Sequence, residues 1–290
     1  MSSTATIKTP EALSETRKAA LLNLLTDEDP SVYQAVRGKI LSCGPAAVEW
    51  LRPHTLSSEP VLRRRSQEII HHFERQNADD RFLEFCLKQG EDLNLEQGVW
   101  LLAQTHYPDI NVEAYQALLD SFAGELRERL DLHAAADELL GGFNKYIFEV
   151  LEFKGSEQNH FDPENSYLNR VVDRRRGNPI SLCLVYLLLA RRLRMPVSGI
   201  GLPGHFICRY QSTSEEYYID VFSGGKLWTK AHCVQYLLQG RYKLQDDYLA
   251  PVTPRRMLMR ICGNLHQVYR DLEIREETTR FQRYLVALAR

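Results

Sequence analysis

No apolar run in this chain approaches the ~20 residues that a helix needs to cross a bilayer. The most apolar stretch, residues 180–190, is about half that length. Neither sign of charge dominates: 36 Lys and Arg stand against 38 Asp and Glu. A net charge of −2 excludes a general binder of nucleic acid or of acidic membrane. The basic runs Arg63–Arg65 and Arg174–Arg176 are too short to change that, and read as solvated or salt-bridged faces. The opening residues, MSSTATIKTPEALSETRK, lack the apolar segment of a secretory signal. A cytoplasmic protein is therefore expected, with its six scattered cysteines reduced. No CxxC or HxxxH spacing occurs, and His205 and Cys208 should fall on opposite faces of a strand, so no metal site is expected. The GxxxxGK phosphate loop is missing as well, so no nucleotide cofactor is expected.

What is present is an ordinary globular composition, 44% apolar and 26% charged over 290 residues. That length supports a large core and two or three substructures. Residues 1–90 read as short amphipathic helices punctuated by proline: 11–25, 31–41, 46–51, 58–75 and 79–88. The segments LLTDEDPSVYQAVRGKIL and LSSEPVLRRRSQEIIHHF share an acidic residue, a proline, then apolar and basic positions. Two imperfect copies suggest a HEAT-like arm, or else an irregular helical layer. Further helices are expected at 95–103, 112–123 continuing through 125–130, and 132–151, the last broken at Gly141-Gly142. Large rings at helical intervals, including Tyr115, Phe122, Phe143 and Tyr146, read as core.

The chain is organised around residues 165–220. Asn178-Pro179 is a helix start, with Asn as N-cap and Pro pre-set for the first helical position. From 180 to 190 only Ser181 is polar, so the helix should be buried on every side. Arg191, Arg192 and Arg194 end it, and Pro196 closes it. Strands are then expected at 197–200, at 206–210 led by His205, and at 217–221 carrying Asp220. A turn through Gly204 joins the first two. A short strand or turn and then a helix over 227–238, a loop at 246–254 and a helical hairpin, 255–269 and 276–288, complete the reading.

A buried helix followed by antiparallel strands bearing a His and then an Asp resembles the transglutaminase-like, papain-related core. More closely, NSYLNRVVDRRRGNPISL, PGHFICRY and YIDVFSGGKL resemble the bacterial invasion-regulator (Sir-B-type) group of that superfamily. The same domain type occurs in some F-box proteins. The resemblance is closest over residues 143–227 and weaker from 93 to the C-terminus. It implies an α+β fold: a buried helix packed on a small antiparallel sheet (residues 91–250), preceded by the helical arm (1–90). The C-terminal hairpin (251–290) would be tetratricopeptide-like.

The resemblance also implies site residues. Active members carry a cysteine nucleophile two positions after a glycine, and here Gly177 puts Pro179 at that place. A Cys at a helix N-terminus gains a lowered pKa from the dipole and free N–H groups; proline offers neither thiol nor N–H. Cys183 lies about 40° around the helix and ~6 Å along it, on the same face but one turn deeper. It reads as an apolar filler, or else as a displaced nucleophile. Ser181, about 200° around, should bond to nearby backbone. His205 and Asp220 match the other two members of the trio, as base and orienter or as their remnant. Asn165, Tyr167, Asn169 and Arg174 to Arg176 either line a cleft or tie segment 154–164 to the core. The cleft residues expected are Pro179, Ser181, Asn165, Tyr167, Arg176 and Gly204.

Two functions follow. The favoured one is a non-catalytic regulatory module that binds a protein or peptide in the remnant groove. The other is a cysteine-dependent amide or peptide hydrolase or acyl-transferase using Cys183, His205 and Asp220. Neither needs a cofactor.

Overall fold

A computed structural model describes residues 13–157, 161–242 and 246–290. The expected start of the first helix at Glu11 and the middle of segment 154–164 lie outside them. The chain divides into two compact units, residues 1–80 and 81–290.

In the first unit, α1 (Glu15–Leu25) and α2 (Pro30–Leu41) each open on a side-chain cap. Ser14 accepts from Arg17 N, and Asp29 from Ser31 N, with Pro30 at the first helical position. A short α3 (Ala47–Leu51) follows, then a 3-10 turn, Arg52–Leu56. The core gathers Leu25, Ile40, Leu51, Ile69 and Phe73. Arg65 donates to the carbonyls of Leu25 and Asp27, a cation placed where α1 leaves acceptors unfilled. The next helix differs from expectation. Residues 58–75 and 79–88 are not two helices but one, α4 (Pro60–Lys88). Asp79-Asp80 looks like a start signal, yet no Gly or Pro interrupts the turn before it. Asn and Asp inside a helix cost only ~0.7 kcal/mol each, too little to break a helix that buries apolar side chains on either side.

The second unit continues from α4 into α5 (Leu95–His106), α6 (Val112–Arg129) and α7 (Ala136–Lys145). Helix α7 runs straight through Gly141-Gly142, where a break was expected, and ends in a π turn, Tyr146–Val150. Gly142 is there for contact rather than for bending: a Cβ on it would sit 2.5 Å from Leu130 Cδ2. Then come β1 (Lys154–Gly155), a 3-10 turn (Pro163–Asn165), α8 (Leu168–Arg174) and β2 (Arg176–Gly177). Strands β1 and β2 pair in parallel, Lys154 beside Arg176 and Gly155 beside Gly177. This ladder was not expected.

The central helix, α9 (Pro179–Arg192), begins as read: Asn178 accepts from Ser181 N and Pro179 takes the first position. Ten of its residues, from Ile180 to Ala190, are buried. It packs on an antiparallel sheet ordered β3 (Val197–Leu202), β4 (His205–Gln211), β5 (Glu216–Asp220) and β6 (Lys226–Trp228). Helix α10 (Lys230–Gln239) follows, and α11 (Pro254–Asp271) packs against α12 (Arg275–Leu288). The fold is mixed, mainly helical with one small antiparallel sheet, as the resemblance implies. No helix among the described residues is long and apolar enough to cross a membrane.

Candidate functional site

His205 opens β4 and Asp220 closes β5. Cys208 pairs with Ile219 in the ladder, which sets His205 diagonal to Asp220 on one face. Their side chains meet: His205 Nε2 and Asp220 Oδ1 are 3.0 Å apart. An ionised carboxylate only accepts, so Nε2 carries the hydrogen of this bond. Both side chains are largely buried, 12% and 5% exposed. Burial would raise the Asp220 carboxyl. Hydrogen bonds from His205 and from the Ser223 hydroxyl and N–H outweigh it and hold the group below its ordinary value. The His205 ring sits among Phe222, Trp228 and Tyr236, with centroids at 6.3, 6.2 and 5.9 Å. Arg260, from α11, donates to the carbonyls of Leu202 and His205 at 2.9 and 2.8 Å and pins the tight turn through Gly204. Ser223 read only as part of a turn. Arg260 lies 55 residues beyond the histidine it holds and left no local signal.

The lowered Asp220 sets a pH dependence. A carboxyl with a folded pKa below its unfolded one stabilises the fold above the unfolded value of ~3.9, and loses that contribution as pH falls through the folded value. Asp220→Asn should cost about 1–3 kcal/mol at neutral pH, and the gap to wild type should narrow below about pH 4. Urea unfolding across pH would show it; a pH-independent gap would mean the charge is not what holds the pair.

The remaining candidates are dispersed. The Cys183 side chain is fully buried. Its sulfur donates to the Phe206 carbonyl at 3.4 Å, and Cys208 lies alongside, its sulfur 3.8 Å from the Cys183 carbonyl. Burial first, then Cys208, pushes the Cys183 thiol well above its ordinary value. Ser181 is not a cleft residue: it is buried, and its hydroxyl donates to the carbonyls of Asn165 at 2.6 Å and Asn178 at 3.1 Å. Tyr167 is not one either, since it is buried and its hydroxyl meets that of Tyr269 at 3.0 Å. Asn165 is buried as well, its carbonyl receiving Ser181 and the Asn178 N–H. Asn165 and Ser181 tie the 3-10 turn onto the helix start, and Tyr167 is held against α11, which is why none of the three also faces a groove. Pro179 is half-buried and Gly204 exposed, at a φ of +72°. Among the described residues, the His205 ring hydrogen-bonds Asp220 and no thiol or hydroxyl.

An open cavity of about 900 Å³ adjoins the pair. Its walls include Lys154, Ser156, Arg174, Arg176, Phe222 and Ser223. Phe222 stands edge-on to His205, and Ser223 holds Asp220, so two residues link cavity and pair. Of the six expected cleft residues only Arg176 lines it. Arg174 is already ion-paired, with Asp162 and Glu164 both at 2.7 Å from Nη1.

Comparison with known proteins places this geometry. A family model described as "Transglutaminase-like superfamily" matches residues 113–263. A UPF0162 protein of Xylella fastidiosa is 35% identical over 187 residues, covering 62% of this chain and 66% of that protein. A second, from Pseudomonas aeruginosa, is 32% identical and covers 63% and 67%. Human F-box only protein 21 is 34% identical over 136 residues, which is 44% of this chain but 21% of the larger protein. The match thus spans about two thirds of the bacterial relatives' length. No solved structure matches the chain.

Proposed function

Because the chain belongs to the transglutaminase-like superfamily and places an imino acid where its active members keep a nucleophile, we propose that it is a non-catalytic regulatory module that binds a protein or peptide. The observation that carries this reading is Cys183. It is the thiol nearest that position on the helix, and it is sealed from solvent, bonded to a carbonyl and raised in pKa. A thiol is nucleophilic only as thiolate, so each of these features works against catalysis. The finer placement, in the bacterial invasion-regulator (Sir-B-type) group, rests on the motifs around Asn178, His205 and Asp220. A HEAT-like role for the first unit is supported by its succession of short helices, the first two opened by side-chain caps. A cytoplasmic setting fits six free cysteines.

One observation favours a second reading. The His205–Asp220 pair is intact, with the carboxylate oriented on the imidazole as an amide hydrolase or acyl-transferase using Cys183 would require.

Iodoacetamide at neutral pH separates the two, with mass spectrometry of the labelled peptides as readout. Under native conditions we expect Cys43, the only half-exposed thiol, to react, and Cys183 to react only after unfolding. Fast alkylation of Cys183 that His205→Ala abolishes would establish the enzyme instead.

A further inference from the structure

The cavity beside the His–Asp pair carries two cations for which the fold supplies no partner. Lys154 and Arg176 are exposed register partners in the β1–β2 ladder, so their side chains leave neighbouring strands, ~4.8 Å apart, on one side. Like charges set opposite each other in a sheet repel. Among the described residues neither makes an ion pair. Arg174, two residues from Arg176 and in the same wall, contrasts with them in holding two carboxylates. Two adjacent cations without a carboxylate partner make this hollow locally positive on a protein of net charge −2.

A second observation points the same way. Ser156, also in the wall, is 7% exposed as a residue and brings a hydroxyl donor to the same hollow as the two cations. The rings of Phe148, Phe153 and Phe222 supply an apolar wall. Glu157, the acidic member of the lining, argues against a strongly acidic guest.

We infer that this cavity binds a peptide through a single carboxylate bridging Lys154 and Arg176, with Ser156 donating to it and a neighbouring apolar side chain on the phenylalanines. The inference rests on the peptide-binding reading above and names the chemistry of the guest. Arg176 takes one carboxylate oxygen through its guanidinium fork, and Lys154 acts as a point charge on the other. The volume lies at the upper end of ordinary ligand pockets, roughly 300–1,000 Å³, enough for two or three residues.

The test pans a displayed random octapeptide library on the full chain and on a Lys154→Gln/Arg176→Gln variant. Both positions are exposed, so the variant should fold; circular dichroism checks it. Retained sequences should share one Asp or Glu, or a free C-terminus, beside an aromatic or aliphatic residue. Synthetic copies should bind the variant about tenfold more weakly, as expected for losing charge-assisted hydrogen bonds. Ser156→Ala should weaken them to a smaller extent. Amidated copies distinguish an α-carboxylate from a side-chain one. Binders without acid enrichment, or binders the double variant keeps, overturn the carboxylate site and leave peptide binding standing. No enrichment on the wild-type chain overturns both.

Discussion

Arg255→Met is expected to cost the larger unit about 3–5 kcal/mol, measured as a shift of the urea midpoint followed by far-UV circular dichroism. Arg255 is 6% exposed, and its guanidinium makes four hydrogen bonds, all to carbonyls. Two belong to the end of α4, Cys86 at 3.0 Å and Gln89 at 2.7 Å. Two belong to the end of α12, Ala287 and Leu288, both at 2.9 Å. A helix leaves its last four carbonyls without internal partners and carries partial negative charge there. One planar cation thus closes two helix ends and ties α11 to both. Methionine keeps the apolar stem and strands four buried acceptors. Lysine keeps the charge but cannot span four acceptors from one point, so Arg255→Lys should recover less than half the loss. A cost below about 1 kcal/mol for the methionine variant would show that water satisfies these carbonyls instead.

Gly225→Ala should cost about 2–4 kcal/mol, while Gly224→Ala, one residue earlier, should cost only ~1. Both glycines sit in the left-handed region, at φ +76° and +72°, so the backbone penalty is shared. Space separates them. A Cβ on Gly224 meets nothing within 4 Å, whereas one on Gly225 would lie 2.5 Å from Phe148 Cε2 and 2.6 Å from Asn144 Cγ. Asn144 cannot yield easily: it donates to the Gly225 carbonyl at 2.8 Å and accepts from the Tyr186 hydroxyl at 3.0 Å. That chain joins the turn after Asp220 to α7 and α9. Thermal unfolding of the two variants side by side gives the comparison. Equal losses would mean that φ alone sets the cost and that the contact relaxes.

What could be read from the sequence was local. The start of α9 is legible because Asn178 and Pro179 act through their own backbone, and the structure shows that cap. Strands β3 to β5 are legible because Gly204 and the Ser223 turn bracket apolar alternation. The two-residue strands β1 and β2 are not, because two residues carry no period and their pairing is decided 22 positions away. The same limit hid the cavity, whose wall is this ladder. Asp79-Asp80 and Gly141-Gly142 were misread for a common reason: each is a genuine break signal in isolation, and packing around α4 and α7 overrides it. Arg255 and Arg260 look like surface arginines on an amphipathic helix, yet their acceptors come from distant parts of the chain.

Phe82, near the start of the larger unit, stacks edge-on against Tyr284 near its end, centroids 4.7 Å apart. During synthesis from the N-terminus, the first unit has its whole core available once residue 73 emerges. The larger unit has no such early completion: its earliest aromatic must wait for its latest. On the ribosome, α9 therefore stands without the α11 that packs on it until residue 271 is made, and over that interval its leucines are a surface for misassembly.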